Sequence, residues 1–246
     1  MILYYNEKSD SAGITVNSQI VNYPVSNVID SRLSRVFKTS ATTTAEIVFD
    51  LGSALSVDSV CIANHNFTSS ATVKIQGNAS DVWTSPSIDE TLTYNSKIIN
   101  KVIASASYRY WRIQVVDATN PDGAISIGRI WIGESYETPG IAPAVSVSYN
   151  STSNKSRSIS GQSYLDINYK YHNFSVSHPV ITHDEKSEFE EILDDVDIGI
   201  PFFVEFDEEC VDLTVYYVTL DATVFDFSIL GNTDYYTVSY GFIEEI

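Results

Sequence analysis

The chain has 246 residues, with 14 Lys and Arg against 32 Asp and Glu, a formal net charge of −18 and an apolar fraction of 43%. At roughly 100–200 residues per domain, that length allows two domains or one large one, and 16 Tyr and 11 Phe supply material for a core, against global disorder. No apolar run reaches the roughly 18 residues that span a bilayer, no secretory signal is expected at the start, and the acidity opposes sequence-independent binding to phosphates.

In chain order, the first 137 residues read as strands. Ala45-Glu46-Ile47-Val48-Phe49-Asp50-Leu51 alternates and breaks at Gly52, and Ser59-Val60-Cys61-Ile62-Ala63 is a short buried run. Thr72-Val73-Lys74-Ile75-Gln76-Gly77 and Tyr110-Trp111-Arg112-Ile113-Gln114-Val115 alternate with period two. Segment 117–123 is dense in turn residues, and a further strand follows over 124–133. Short strands between turn signals indicate an antiparallel sandwich or jelly roll.

Thr138-Pro139-Gly140-Ile141-Ala142-Pro143 reads as a linker, dividing the chain into a β-sandwich over 1–137 and an acidic β-rich assembly domain over 138–246. The Ser/Asn stretch 148–160 reads as a long hairpin loop or arm, with strands resuming at 162–169 and 173–176. One helix is expected over about 184–197. Thr182 or Asp184 caps it, Glu185 and Glu188 suit its N-terminal dipole, and Phe189, Ile192, Leu193 and Val196 form its apolar stripe. Gly199 and Pro201 end it. Strands follow at 202–206, 214–218 and 235–240, where Tyr216-Tyr217 and Tyr235-Tyr236 either expose rings on alternate faces for assembly or put one face in the core and the other on a tyrosine-rich surface. The fold class expected is mainly β, with one packed helix in the second domain.

The charge divides unevenly. Residues 1–137 hold 10 bases and 13 acids, whereas 138–246 hold 4 and 19, and 16 acids follow the last base, Lys186. Such asymmetry suits either a solubilising surface or one that faces a polyanion or a basic partner. The acidic candidates are Asp194, Asp195, Asp197, Asp207, Glu208, Glu209 and Asp212.

Chemistry is sparse. Cys61 and Cys210 make no disulfide framework. His172, His178 and His183 lie within twelve residues, but their spacing is not that of a zinc site, and the acidic clusters lack the pattern of a calcium loop. No Gly-x-Ser-x-Gly, Walker or Gly-x-Gly-x-x-Gly motif occurs, so neither enzyme activity, nor a metal, nor a cofactor is expected.

Pro24-Val25-Ser26-Asn27-Val28-Ile29-Asp30, the strand ending Asp50-Leu51-Gly52, Val57-Asp58-Ser59-Val60-Cys61-Ile62, Tyr108-Arg109-Tyr110-Trp111-Arg112-Ile113 and Ile127-Gly128-Arg129-Ile130-Trp131-Ile132-Gly133 together resemble the discoidin, or factor 5/8 type C, family of galactose-binding-like jelly rolls. The wording of these segments, with Ile62-Ala63-Asn64-His65-Asn66, Gly161-Gln162-Ser163-Tyr164-Leu165-Asp166 and Ile200-Pro201-Phe202-Phe203, also resembles tail proteins of long-tailed bacteriophages. That resemblance implies a structural subunit of a virion tail tip or baseplate, made in the host cytoplasm. Its partners would be other tail proteins and copies of itself in a ring, with DNA passing nearby and not bound specifically. The alternative is a carbohydrate-binding or host-attachment module. Galactose-binding-like folds hold ligands on loops at one end, here Asn27, Arg32, Arg35, Phe37 and Lys38, with His65, Asn66 and Phe67. Trp83, Trp111 and Trp131 read as core or strand residues.

Overall fold

The computed structural model describes residues 1–138, 144–196, 198–206, 215–221, 226–231 and 234–246. The chain is mainly β and divides into two compact units, Tyr4–Tyr136 and Glu137–Ile246, the latter joined by Met1–Leu3. The first three residues thus go with the second unit, where Thr138 N–H donates to the Met1 carbonyl at 2.9 Å. The linker segment 139–143 and Cys210 lie outside the described residues.

The first unit is a β-sandwich. Its strands are the end of β1 (Ile2–Tyr5) from Tyr4, β2 (Gly13–Val16), β3 (Phe37–Lys38), β4 (Thr44–His65), β5 (Thr72–Asn78), β6 (Ile88–Leu92), β7 (Ile98–Val116) and β8 (Ser126–Glu137) up to Tyr136. Two long strands organise it. β4 and β7 pair antiparallel from Thr44↔Val116 to Ala63↔Ile98, with register shifts between Asp50 and Leu55 and between Val57 and Ser59. Before the first shift β4 also pairs with β2, and after the second it pairs with β8, so one strand serves two layers. Gly52, expected to end a strand, instead marks this corner. Its φ of +76° suits glycine, and its N–H donates to Asp50 Oδ1 at 2.9 Å. The same Oδ1 also accepts from Arg109 Nε at 2.6 Å, and Oδ2 accepts from Arg109 Nη2 at 2.7 Å. Arg109 holds the Asp50 carboxyl down at about 2.

Alternation sends Ala45, Ile47, Phe49, Val73, Ile75, Trp111, Ile113 and Val115 inward, where they meet Val60, Ile62, Ile99, Ile130 and Ile132 in one core cluster. Trp131 is also buried, edge-on to Tyr4 at 5.7 Å.

The second unit contains β9 (Ala144–Ser151), β10 (Asn154–Arg157), β11 (Ser163–Asp166), β12 (Lys170–Thr182), α1 (His183–Asp195), β13 (Phe202–Glu205), β14 (Val215–Leu220), β15 (Asp226–Ile229) and β16 (Tyr235–Glu244). Its main sheet runs β13-β14-β16-β12-β9, with β15 also on β16. The helix starts at a capping box, in which Thr182 Oγ1 accepts from Glu185 N–H and the Glu185 carboxylate accepts from Thr182 N–H. Phe189, Ile192 and Val196 are buried, and Val196 closes the helix by donating to the Ile192 carbonyl.

One expectation fails here. Tyr216 and Tyr217 are 4% and 2% exposed, because every residue of β14 is buried and neither face of the strand meets water. Tyr235 does reach solvent, at 48%.

β10 and β11 form a separate two-stranded hairpin, so the stretch 148–160, expected as a long hairpin loop or mobile arm, holds the end of β9 and the first strand of that hairpin.

Candidate functional site

The loop end of the sandwich is closed by its own side chains. Asp30 takes Arg32 Nε and Nη2 at 2.9 and 2.8 Å and Arg35 Nη1 at 3.2 Å. Its carboxyl is held well below the usual range, chiefly by the Arg32 hydrogen bond. Asn27 Nδ2 donates to the Val36 carbonyl at 2.8 Å. Phe37 is wholly buried in the core, and the Lys38 ammonium lies 4.7 Å from the Tyr23 ring centroid.

The second loop is as fully committed. His65 Nε2 lies 2.9 Å from the Asn95 carbonyl, and its ring stacks on Phe67 at 4.3 Å. Phe67 is 5% exposed and belongs to the core. Asn66 donates to Asp122 Oδ2 and the Ala124 carbonyl and accepts from Ser126 N–H, so it ties the turn to β8. Below it Asp117 is buried and accepts from Thr68 N–H, Thr68 Oγ1 and Asn120 Nδ2. Burial would raise that carboxyl, but these hydrogen bonds prevail and hold it below its ordinary value. The candidates of both loops thus make contacts within the fold at the turns between strands, while Arg32 and Arg35 stay exposed beside Asp30. Neither aromatic offers a face to a ligand.

A sequence signal for part of this existed. Asp30 stands two and five residues before Arg32 and Arg35, close enough to neutralise both.

A different polar face was missed. On the outside of β5 and β7, Arg112 Nε donates to Gln76 Oε1 at 2.7 Å, and both side chains are nearly buried. The guanidinium lies 4.7 Å from the Trp83 ring and 3.5 Å from Glu46 Oε2. Trp83 is thus a half-buried loop residue over a polar cluster, not a core residue. Asp89 joins the cluster through Lys74 and Gln76, which hold its carboxyl below the ordinary value.

The three clustered histidines find separate partners. His172 Nδ1 meets Glu244 at 2.6 Å, His178 Nε2 meets the Tyr240 hydroxyl at 2.7 Å, and His183 opens the helix beside Tyr236. Of the acidic candidates, Asp194 and Asp195 are exposed on α1. Asp197, Asp207, Glu208, Glu209 and Asp212 lie outside the described residues.

The β10–β11 arm is exposed over much of its length. Every residue from 161 to 170 is exposed. Ile159, Tyr164, Leu165, Ile167 and Tyr169 are 110%, 54%, 61%, 75% and 62% exposed. Isolated exposed apolar residues are ordinary; here five fall between residues 159 and 169.

No family model matches the chain, and no curated protein matches it. Solved structures similar to it include chitosan-binding module 1 of a chitosanase/glucanase from Paenibacillus sp. IK-5, at 15% identity, covering 53% of this chain and 100% of the module with a TM-score of 0.43. A family 32 carbohydrate-binding module of C. perfringens NanJ, in complex with galactose, is similar at 16% identity, 55% and 100% coverage and a TM-score of 0.43. A fucose-binding module of Streptococcus pneumoniae is similar at 13%, with 52% and 95% coverage and a TM-score of 0.44. These neighbours are carbohydrate-binding modules. At such identities their ligands are not carried over to this chain.

Proposed function

We propose that the chain is a non-catalytic assembly subunit that joins protein neighbours through the 152–169 arm. The observation that carries this reading is the uninterrupted exposure of residues 161–170, with two tyrosines, a leucine and an isoleucine among them. Tyrosine and large apolar groups are what the centre of an interface buries, and within a single chain the arm leaves these side chains exposed. The setting we propose, from the sequence resemblance, is a virion tail tip or baseplate.

Sedimentation of the full chain tests it. Wild type should exceed the 27.3 kDa of one chain as concentration rises. A variant with Tyr164→Ser, Leu165→Ser, Ile167→Ser and Tyr169→Ser should stay monomeric and folded. If wild type and variant are both monomers at every concentration, the reading fails.

A second reading, a glycan-binding module, is favoured by the Trp83 face, where Arg112 lies over the indole and is itself bonded to Gln76, which with Lys74 holds Asp89. An aromatic face beside fixed polar groups is the chemistry a sugar ring needs. Chitosan, galactose and fucose, the ligands named for the structural neighbours, are the probes to use first. A glycan array with the full chain should show binding that Trp83→Ala removes, and a blank array would eliminate this reading.

A further inference from the structure

We propose that the arm's partner is the acidic face of helix α1 on a second copy of this chain, so that copies join head to tail. This rests on the assembly reading above and names its partner.

The charge of the second unit is not uniform. Residues 152–170 hold Lys155, Arg157 and Lys170 against Asp166, a net of +2, whereas residues 171–246 hold one base and 18 acids. The arm is a basic island in the most acidic part of the protein. Two of its three cations are also unspent. Elsewhere the chain engages its bases thoroughly, since eleven of the fourteen lie against a carboxylate or an aromatic ring. Among the described residues, Lys97, Lys155 and Arg157 have no such contact, and the last two share the arm.

They also share a face. Lys155 and Arg157 are two apart on β10, and the register sets them opposite Leu165 and Ser163. Directly paired residues of antiparallel strands project to one side, and alternate residues repeat it. One face of the hairpin therefore presents two cations and a leucine. The other presents Tyr164 and Asp166.

α1 offers the complement. Asp184, Glu188, Glu190, Glu191, Asp194 and Asp195 are exposed along it, and its single base, Lys186, is paired with Glu190. Just beyond its end Ile198 and Ile200 are 60% and 49% exposed. Carboxylates with exposed isoleucines beside them match cations with a leucine beside them. Opposite potentials both select and orient such a contact. The contact joins unlike surfaces, so each copy can give an arm and receive one. A chain of such contacts closes into a ring if the rotation allows, and otherwise extends as a filament.

The test uses two full-length variants, Lys155→Glu with Arg157→Glu on the arm and Glu188→Lys with Glu191→Lys on the helix, checked for fold by circular dichroism. All four residues are exposed. In sedimentation, each variant alone should associate at least tenfold more weakly than wild type. The equimolar mixture should regain wild-type association, because each arm then meets the opposite charge on the other variant's helix. If wild-type assembly survives both reversals but is lost in the four-serine arm variant, the helix is not the partner and the assembly reading stands. Failure of the mixture to recover also overturns the helix assignment. A wild type that is monomeric at every concentration overturns both.

Discussion

Gly128 and Arg129 sit side by side on β8, and the pair explains why that strand reads as it does. A Cβ at Gly128 would lie 2.7 Å from the Leu33 carbonyl oxygen and 2.9 Å from Asn64 Cβ, so only glycine lets the 27–38 loop close over the strand. Arg129 is 2% exposed and fixes the same loop by donating to the Ile29 carbonyl, while its other arm meets Glu7 and Asp10. Gly128→Ala should cost about 1–3 kcal/mol, since backbone cannot yield as a side-chain tip would. Gly13→Ala, whose nearest contact is at 3.8 Å, is the control and should be nearly neutral in denaturant melts.

His178 gives the second residue-scale expectation. It is 1% exposed, its Nδ1 has no hydrogen-bond partner among the described residues, and burial holds its pKa down at about 4. The unfolded chain, with a histidine near 6.5, takes up the proton first as pH falls. Stability is therefore intact above about 6.5 and is lost on the descent towards 4. Burial lowers His65 too, so the first unit should show the same sign. His178→Phe should flatten the acid limb of the second unit's melting temperature between about pH 7 and pH 5. A wild-type curve level across that window would contradict the assignment.

At the scale of elements, the helix was the most legible part, because its signals are local. Thr182 and Glu185 at cap and third position, followed by an apolar stripe, can be read without tertiary context. Thr182→Ala removes the Oγ1 acceptor of Glu185 N–H and should cost about 1 kcal/mol, with Thr182→Ser near wild type in urea titrations. The strands of the sandwich were legible for the same reason, as alternation writes the inward face directly. What local signals could not give was continuity. Gly52 punctuates the sequence, yet β4 runs through it, because Asp50 and Arg109 hold the corner from 59 residues away. The two aromatic loop candidates were hidden on similar grounds. Phe37 and Phe67 look like platform aromatics in a polar segment, and only the packed core shows them facing inward.

At the scale of the whole molecule, the net charge of −18 was legible as a property of the second domain. Averaging over that domain concealed the three bases on the arm, and a hairpin with both strands exposed has no inward-facing pattern for alternation to reveal. The distinction has a consequence that salt can measure. A folded second unit this acidic repels itself, so screening should stabilise the monomer, whereas screening should weaken an arm held by Lys155 and Arg157 to carboxylates. Between about 0.01 M and about 1 M salt the Debye length falls from roughly 30 Å to roughly 3 Å, shorter than the spacing of most exposed charges. Over that range the melting temperature of the monomeric four-serine arm variant should rise, while the sedimentation coefficient of wild type at fixed concentration should fall towards the monomer value. Apolar contact alone would strengthen or hold constant with added salt. A wild-type assembly that grows with salt would therefore assign the interface to Tyr164, Leu165, Ile167 and Tyr169, with the cations as bystanders.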